Sequence, residues 1–258
     1  MDKEVSGGFY VTLASNASAG IYPQNKIWNF RTKLAKSIHT KQPYEVGLIE
    51  AQYPCSWHSF PTEDATMTVH DGKTGHRTSC LLVGGLYESI GSLLLQINKT
   101  WTKHNPGSKV ILHHEGIRNR IYVEGDDHLA IVFRGKLAAM LGFDAGVKLP
   151  AHKSYATYAP HPTDIHGGCY NMFIYSDIVD HQLVGDSYVP LLRSINITDT
   201  SRRHCIHMFD KPHYVHVARD PLGDIEIDLK SDQNTNIKFT YGKVILKLHF
   251  RPVKQQNS

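Results

Sequence analysis

Seventeen histidines and four cysteines are the residues of this sequence best suited to hold a metal, so they are the first place to look for chemistry. Their densest group is His204, His207, His213 and His216 around Cys205. The spacing works against chelation. On a strand, residues three apart point to opposite faces, so His213 and His216 cannot share an ion without a bulge. His204 and His207 would meet only on a helix, where residues three apart are neighbours. No ligand box with metal-site spacing is present, and the histidines read as structural or surface groups. The cysteines Cys55, Cys80, Cys169 and Cys205 lie far apart and form no CxxC pair, so spacing encodes neither a zinc ribbon nor a disulfide scaffold. They read as free thiols in a reducing compartment.

Acid-base and nucleophilic chemistry fare no better. The carboxylate pairs Glu63-Asp64 and Asp126-Asp127 sit in turn-like polar surroundings, without the burial that tunes a general acid. No GxSxG elbow anchors a serine nucleophile. Gly84-Gly85 precedes a helical pattern but lacks the Lys-Ser or Lys-Thr of a phosphate loop. The expectation is a chain with no catalytic residues, no cofactor and no metal.

Composition bounds the partners. The formal charge of +4 arises from 28 Lys and Arg against 24 Asp and Glu, with no basic block, so no specific nucleic-acid partner is expected. Hydrophobic residues at 41% and charged residues at 20% describe an ordinary globular chain. The opening MDKEVSGGFYVTL lacks the basic and apolar regions of a signal peptide, and no run approaches the roughly 18 to 20 apolar residues of a membrane span. The expectation is a protein that is neither secreted nor membrane-spanning, which makes the sequons at Asn16, Asn98 and Asn196 chance matches.

The elements that would position any site are mostly strands. Phe9 to Leu13, Ile27 to Leu34 and Tyr44 to Tyr53 read as strands, the last apolar on both faces through Val46-Gly47-Leu48-Ile49. Thr66 to His70 and Thr78 to Val83 flank an Asp71-Gly72 hairpin signal. Leu86, Ile90, Leu93, Leu94, Ile97 and Trp101 then follow a helical stripe that Asn105-Pro106-Gly107 stops. Lys109 to His114 and Asn119 to Glu124 form a hairpin, Leu129 to Phe133 another strand, and Lys136 to Leu141 a helical turn that Gly142 can cap.

Residues 143–168 have no period and read as a long surface excursion, a contact arm carrying Tyr155 and Tyr158 among thirteen tyrosines. Thr200 to Lys211 reads as a polar crossing. Ile225, Ile227 and Leu229, then Val244, Leu246, Leu248 and Phe250, give the clearest alternation in the chain. About ten strands with one main helix predict an all-β fold, a single jelly-roll β-sandwich occupying residues 1–258.

Asn171 to Arg193 organises this framework. Its first seven residues read as a strand buried on both faces, followed by a turn at Val184-Gly185-Asp186 and an exit through Pro190-Leu191-Leu192-Arg193.

Several stretches together resemble one family: Phe9-Tyr10-Val11-Thr12-Leu13, Tyr44-Glu45-Val46-Gly47-Leu48 with Tyr53-Pro54, Val184-Gly185-Asp186 with Pro190-Leu191-Leu192-Arg193, and Gly242-Lys243-Val244 leading to Leu248-His249-Phe250-Arg251. Their order and spacing are similar to those of the minor capsid, or penton, proteins of polinton (Maverick) elements and related small DNA viruses, virophages included. The resemblance implies a jelly roll that assembles as a homopentamer at the five-fold vertices of a virion, beside a double-jelly-roll major capsid protein. It implies no catalysis. Some relatives insert a second domain in the roll; 143–168 is the only comparable stretch here, so no sizeable insertion is expected. Val184, Gly185, Asp186, Pro190, Leu191, Leu192, Arg193, Tyr155 and Tyr158 are the candidate assembly residues. A jelly-roll metal-dependent enzyme and a cellular carbohydrate-binding sandwich module are the competing readings.

Overall fold

Alternating apolar residues require two sheets that face one another, and the chain builds them from segments far apart in sequence. The computed structural model describes residues 3–57, 59–60, 65–167, 169–197 and 204–254. The Glu63-Asp64 pair falls outside them. The chain divides into two compact units, Met1–Ser56 with Cys169–Ser258, and Trp57–Gly168.

The first unit begins with β1 (Lys3–Val5), β2 (Phe9–Ala14), β3 (Asn29–Thr40) and β4 (Tyr44–Pro54). The second unit then occupies the sequence with β5 (Thr66–Asp71), β6 (Arg77–Leu81), α1 (Ile90–His104), β7 (Val110–Glu115), β8 (Arg120–Gly125), β9 (Leu129–Phe133), α2 (Gly135–Met140), β10 (Leu149–Pro150) and β11 (Thr157–Tyr158). The first unit resumes with β12 (Asn171–Ser176), β13 (Gln182–Val184), β14 (Ser187–Val189), β15 (Leu191–Asn196), β16 (His204–Met208), β17 (Tyr214–His216), β18 (Leu222–Ser231) and β19 (Ile245–Pro252).

In the first unit one sheet runs β1-β3-β18-β12-β15, and the other runs β16-β4-β19-β2, with β17 beside β16 on the same edge of β4. Without β1 and the β13–β14 hairpin, and with β16 and β17 taken together, eight strand positions remain. In chain order, the second, seventh, fourth and fifth form one sheet, and the first, eighth, third and sixth form the other. This interleaving of two Greek keys is a jelly roll. Each inner face follows the alternation of its strands: Ile225, Ile227 and Leu229 on β18, and Leu246, Leu248 and Phe250 on β19, are all buried. Fully burying such a side chain contributes about 1.5–3 kcal/mol relative to exposure.

Two irregularities explain departures from simple alternation. On β4 the inward-facing side chains are Tyr44, Val46 and Leu48, then Ala51 and Tyr53, with Gly47 and Pro54 buried as well. The phase changes where Lys247 pairs with Glu50 but Leu248 pairs with Leu48, leaving Ile49 as an extra residue. The doubly apolar run Val46-Gly47-Leu48-Ile49 is therefore the sequence of a β-bulge, not of a strand buried along both faces. Gly47 in that run sits where space is tight, since a Cβ there would lie 3.0 Å from Pro212 Cβ and 3.1 Å from the His213 carbonyl oxygen. The same device operates on β15, where Ile174 pairs with Arg193 but Tyr175 pairs with Leu191. It turns Leu192 and Ile195, three apart, toward the core together.

The second unit has its own core, and this is the main correction to the sequence reading. One roll is present, but it does not occupy 1–258, and the interruption is Trp57–Gly168 and not 143–168 alone. Its sheets are β10-β9-β5-β6 and β11-β8-β7. The stripe Ile90, Leu93, Leu94, Ile97 and Trp101 of α1 is buried against Phe60, Met67, Ile121 and Phe133. Ser89 starts this helix by a capping box with Ser92, so Leu86 lies before it.

The supposed excursion is also structured: β10 pairs with β9, β11 pairs with β8, and Phe143, Ala151 and Ala159 join the core. The reason is backbone demand. The last carbonyl of α2 and that of the residue past its cap need partners, and the returning chain supplies them, with Asp164 N donating to Met140 O at 2.8 Å and His161 N to Gly142 O at 3.0 Å.

Candidate assembly surface

β12 carries the centre of the organising stretch. Met172, Ile174 and Ser176 are buried, whereas Phe173 and Tyr175 on the other face are only half-buried and meet edge to face at 6.3 Å. One face is therefore core, and the reading of a doubly buried strand is corrected: aromatic side chains occupy an outer sheet face. Lys230 from the neighbouring β18 lies 5.8 Å over the Tyr175 ring, which accounts for the tolerance of that position to water.

The turn after β12 builds a hairpin. β13 and β14 pair Gln182 with Val189, Leu183 with Tyr188 and Val184 with Ser187, leaving Gly185-Asp186 as the two-residue loop. Gly185 has φ +61°, the left-handed value that a two-residue hairpin with glycine first demands. Leu183 and Tyr188 are cross-strand partners and are 82% and 67% exposed. The His181 ring lies 5.4 Å from that of Tyr188, and both apolar side chains are still left largely in solvent.

Gly185→Val is expected to loosen this tip and little else. A side chain at positive φ costs about 1–2 kcal/mol, yet nothing lies within 4 Å of the added Cβ. Hydrogen exchange should quicken across residues 182–189, with the strands β12 and β15 unchanged.

Beyond the hairpin, Pro190 O accepts from Ser176 N, and the β15 bulge turns Leu192 inward while Arg193 is left half-buried. The Arg193 guanidinium lies 4.1 Å over the Phe209 ring. Burial pulls its pKa below the ordinary arginine value. Arg193 lines an open groove of about 520 Å³ with Gln182, Leu192, Lys211 and His213. No carboxylate among the described residues forms an ion pair with Arg193. The arrangement suits recognition of a carboxylate or a carbonyl-rich loop, since it offers planar donors on an aromatic floor.

Seven of the candidate residues, Val184, Gly185, Asp186, Pro190, Leu191, Leu192 and Arg193, lie in the β13–β14 hairpin and in the start of β15 that follows it. Tyr155 and Tyr158 belong to the other unit. Tyr155 is exposed and stacks on His152 with 3.9 Å between ring centres, and Tyr158 on β11 packs beside Tyr122 under the Arg118 guanidinium.

Residues the sequence reading passed over lie on β16. Thr200 to Lys211 was expected to be a polar crossing, but 204–208 forms an edge strand along β4. Its alternation is inverted. Cys205 is buried and His207 half-buried, while Ile206 and Met208 are 60% and 74% exposed. The inward histidine is stabilised because Tyr53 stacks on it and its hydroxyl meets His207 Nε2 at 2.8 Å. Burial lowers the His207 pKa, favouring the neutral ring. His204 and His207, three apart on a strand, point to opposite faces. Among the described residues no three His, Cys, Asp or Glu side chains converge as a metal site would need. Likewise, no helix among them is long and apolar enough to cross a membrane.

The fold and this surface define a class: a jelly-roll protein with a second compact unit between its third and fourth roll strands, presenting apolar side chains on a hairpin tip and on an edge strand. Among solved structures the chain is similar to the mavirus penton protein, with a TM-score of 0.54 and 11% sequence identity over 95% of this chain and 100% of that one. A chain of the Sputnik virophage gives a TM-score of 0.49 at 9% identity, over 96% of this chain and 98% of that one. No protein-family model matches the sequence, and comparison with the curated proteins finds no match.

Proposed function

We propose that this chain is a structural virion protein, a penton or minor capsid subunit that forms homopentamers at five-fold vertices and meets a double-jelly-roll major capsid protein there. The observation that carries the reading is the fold, a jelly roll with a second compact unit set between its strands, which is similar to the mavirus penton protein over 95% of this chain and 100% of that one. The surface supports it. A closed ring requires a heterologous contact, one patch of a subunit meeting a different patch of the next. Leu183 with Tyr188 and Ile206 with Met208 are two separate apolar patches in the roll, and apolar side chains on an edge strand are a liability unless another chain covers them.

Light scattering on the purified protein, alone and mixed with the major capsid protein, tests the proposal. The expected particle has about five times the 29.1 kDa mass of the chain. A strictly monomeric species under both conditions would sink the reading. Ile206→Asp with Met208→Asp should shift the assembly toward monomer, weakening association at least ~30-fold if either residue is a hot spot worth about 2 kcal/mol. Circular dichroism should be unchanged, because both side chains already face solvent in the isolated chain.

A further inference from the structure

Cys55 and Cys205 stand 150 residues apart in sequence, yet their sulfurs lie 2.8 Å from one another. Register brings them together. β16 pairs antiparallel with β4 so that Cys205 faces Tyr53 and His204 faces Pro54, which places Cys55, the residue after β4, diagonally beside Cys205. Both are buried, at 1% and 8% exposure. The side chains already point at each other, and a bond of ~2.05 Å asks the sulfurs to approach by less than ~1 Å.

From this geometry we infer that Cys55 and Cys205 are a disulfide-forming pair, a covalent staple that closes under oxidising conditions and opens under reducing ones. The staple ties β16, which pairs among the described residues with β4 at the edge of its sheet, to the strand that holds it. It closes a loop containing the whole Trp57–Gly168 unit as well as β12 to β15.

A glutathione disulfide serves as oxidant. The Cys205 thiolate, the more exposed of the two, attacks one of its sulfurs, forming a mixed disulfide and expelling one glutathione thiolate. The Cys55 thiolate then attacks Cys205 Sγ, the protein disulfide forms, and the second glutathione leaves. Two electrons pass from the protein to the glutathione disulfide, and the two thiol protons end on the two glutathiones.

The inference does not depend on the penton reading and is tested on the wild-type chain. The protein is purified reduced, equilibrated with oxidised glutathione, denatured, alkylated and digested. Of its four cysteines, four should alkylate before oxidation and two after it, with a single linked peptide pair joining Cys55 to Cys205. The melting midpoint of the oxidised chain should rise by roughly 5–10 °C, as a disulfide closing so long a loop restricts the unfolded ensemble. Four alkylated cysteines after oxidation, or a link that involves Cys80 or Cys169 instead, would overturn it.

Discussion

Gly142→Val is expected to unfold the Trp57–Gly168 unit. Gly142 follows α2 with φ +79°, and a Cβ built there falls 2.1 Å from the His161 carbonyl oxygen and 2.9 Å from its carbon. Neither side can yield cheaply. His161 N donates to Gly142 O, and Asp164 N donates to Met140 O, so the obstructing segment is clamped to the helix end. Positive φ adds its own penalty. The combined cost exceeds about 4 kcal/mol, a range that few single substitutions reach. Peptide-resolved hydrogen exchange should lose protection in β7, β8 and β9 while β18 and β19 retain theirs. Native protection throughout 57–168 would show that this crossing is less constrained than its geometry implies.

Phe250→Ala carries the second large effect, in the other unit. Phe250 is fully buried on β19, between Phe9 of β2 and Val46 of β4 in register, and its ring stacks on Phe9 at 4.8 Å. Truncation removes the transfer energy of the ring and leaves a cavity among strands that cannot collapse without breaking their ladder. The expected loss is about 3–5 kcal/mol, equivalent to a fall in Tm of roughly 6–20 °C. Tyr10→Ala on the neighbouring strand is the control, since that ring is 62% exposed and should cost far less. If the two substitutions lowered the melting point equally, the assignment of inner and outer faces would be wrong.

Taken together, the two substitutions ask whether the units are separate cooperative bodies. Each should remove protection from its own unit. The pair also bears on assembly, because the patches proposed for subunit contact all lie in the roll. Gly142→Val should leave the proposed pentamer intact if the roll alone supplies the ring, and Phe250→Ala should weaken it by destabilising the surface proposed to make the contacts.

Local chemistry made much of this molecule legible from the sequence. The alternation of β18 and β19, the stripe of α1 with its stop at Asn105-Pro106, and the turn at Val184-Gly185-Asp186 follow from side-chain period and from φ preferences that neighbouring residues settle among themselves. The jelly roll was readable on the same basis. Tertiary structure decided the rest. The bulges on β4 and β15 are set by partner strands that hold the phase, so runs such as Val46-Gly47-Leu48-Ile49 mislead when read alone. The second unit was read as a continuation of the roll plus a loose arm because its short strands resemble those of the roll, and only their pairing with one another separates them. The outward Ile206 and Met208, and the meeting of Cys55 with Cys205, depend on which edge β16 takes beside β4. Such pairings join residues some 150 apart and are fixed by the fit of whole sheets, a selection that no local period encodes.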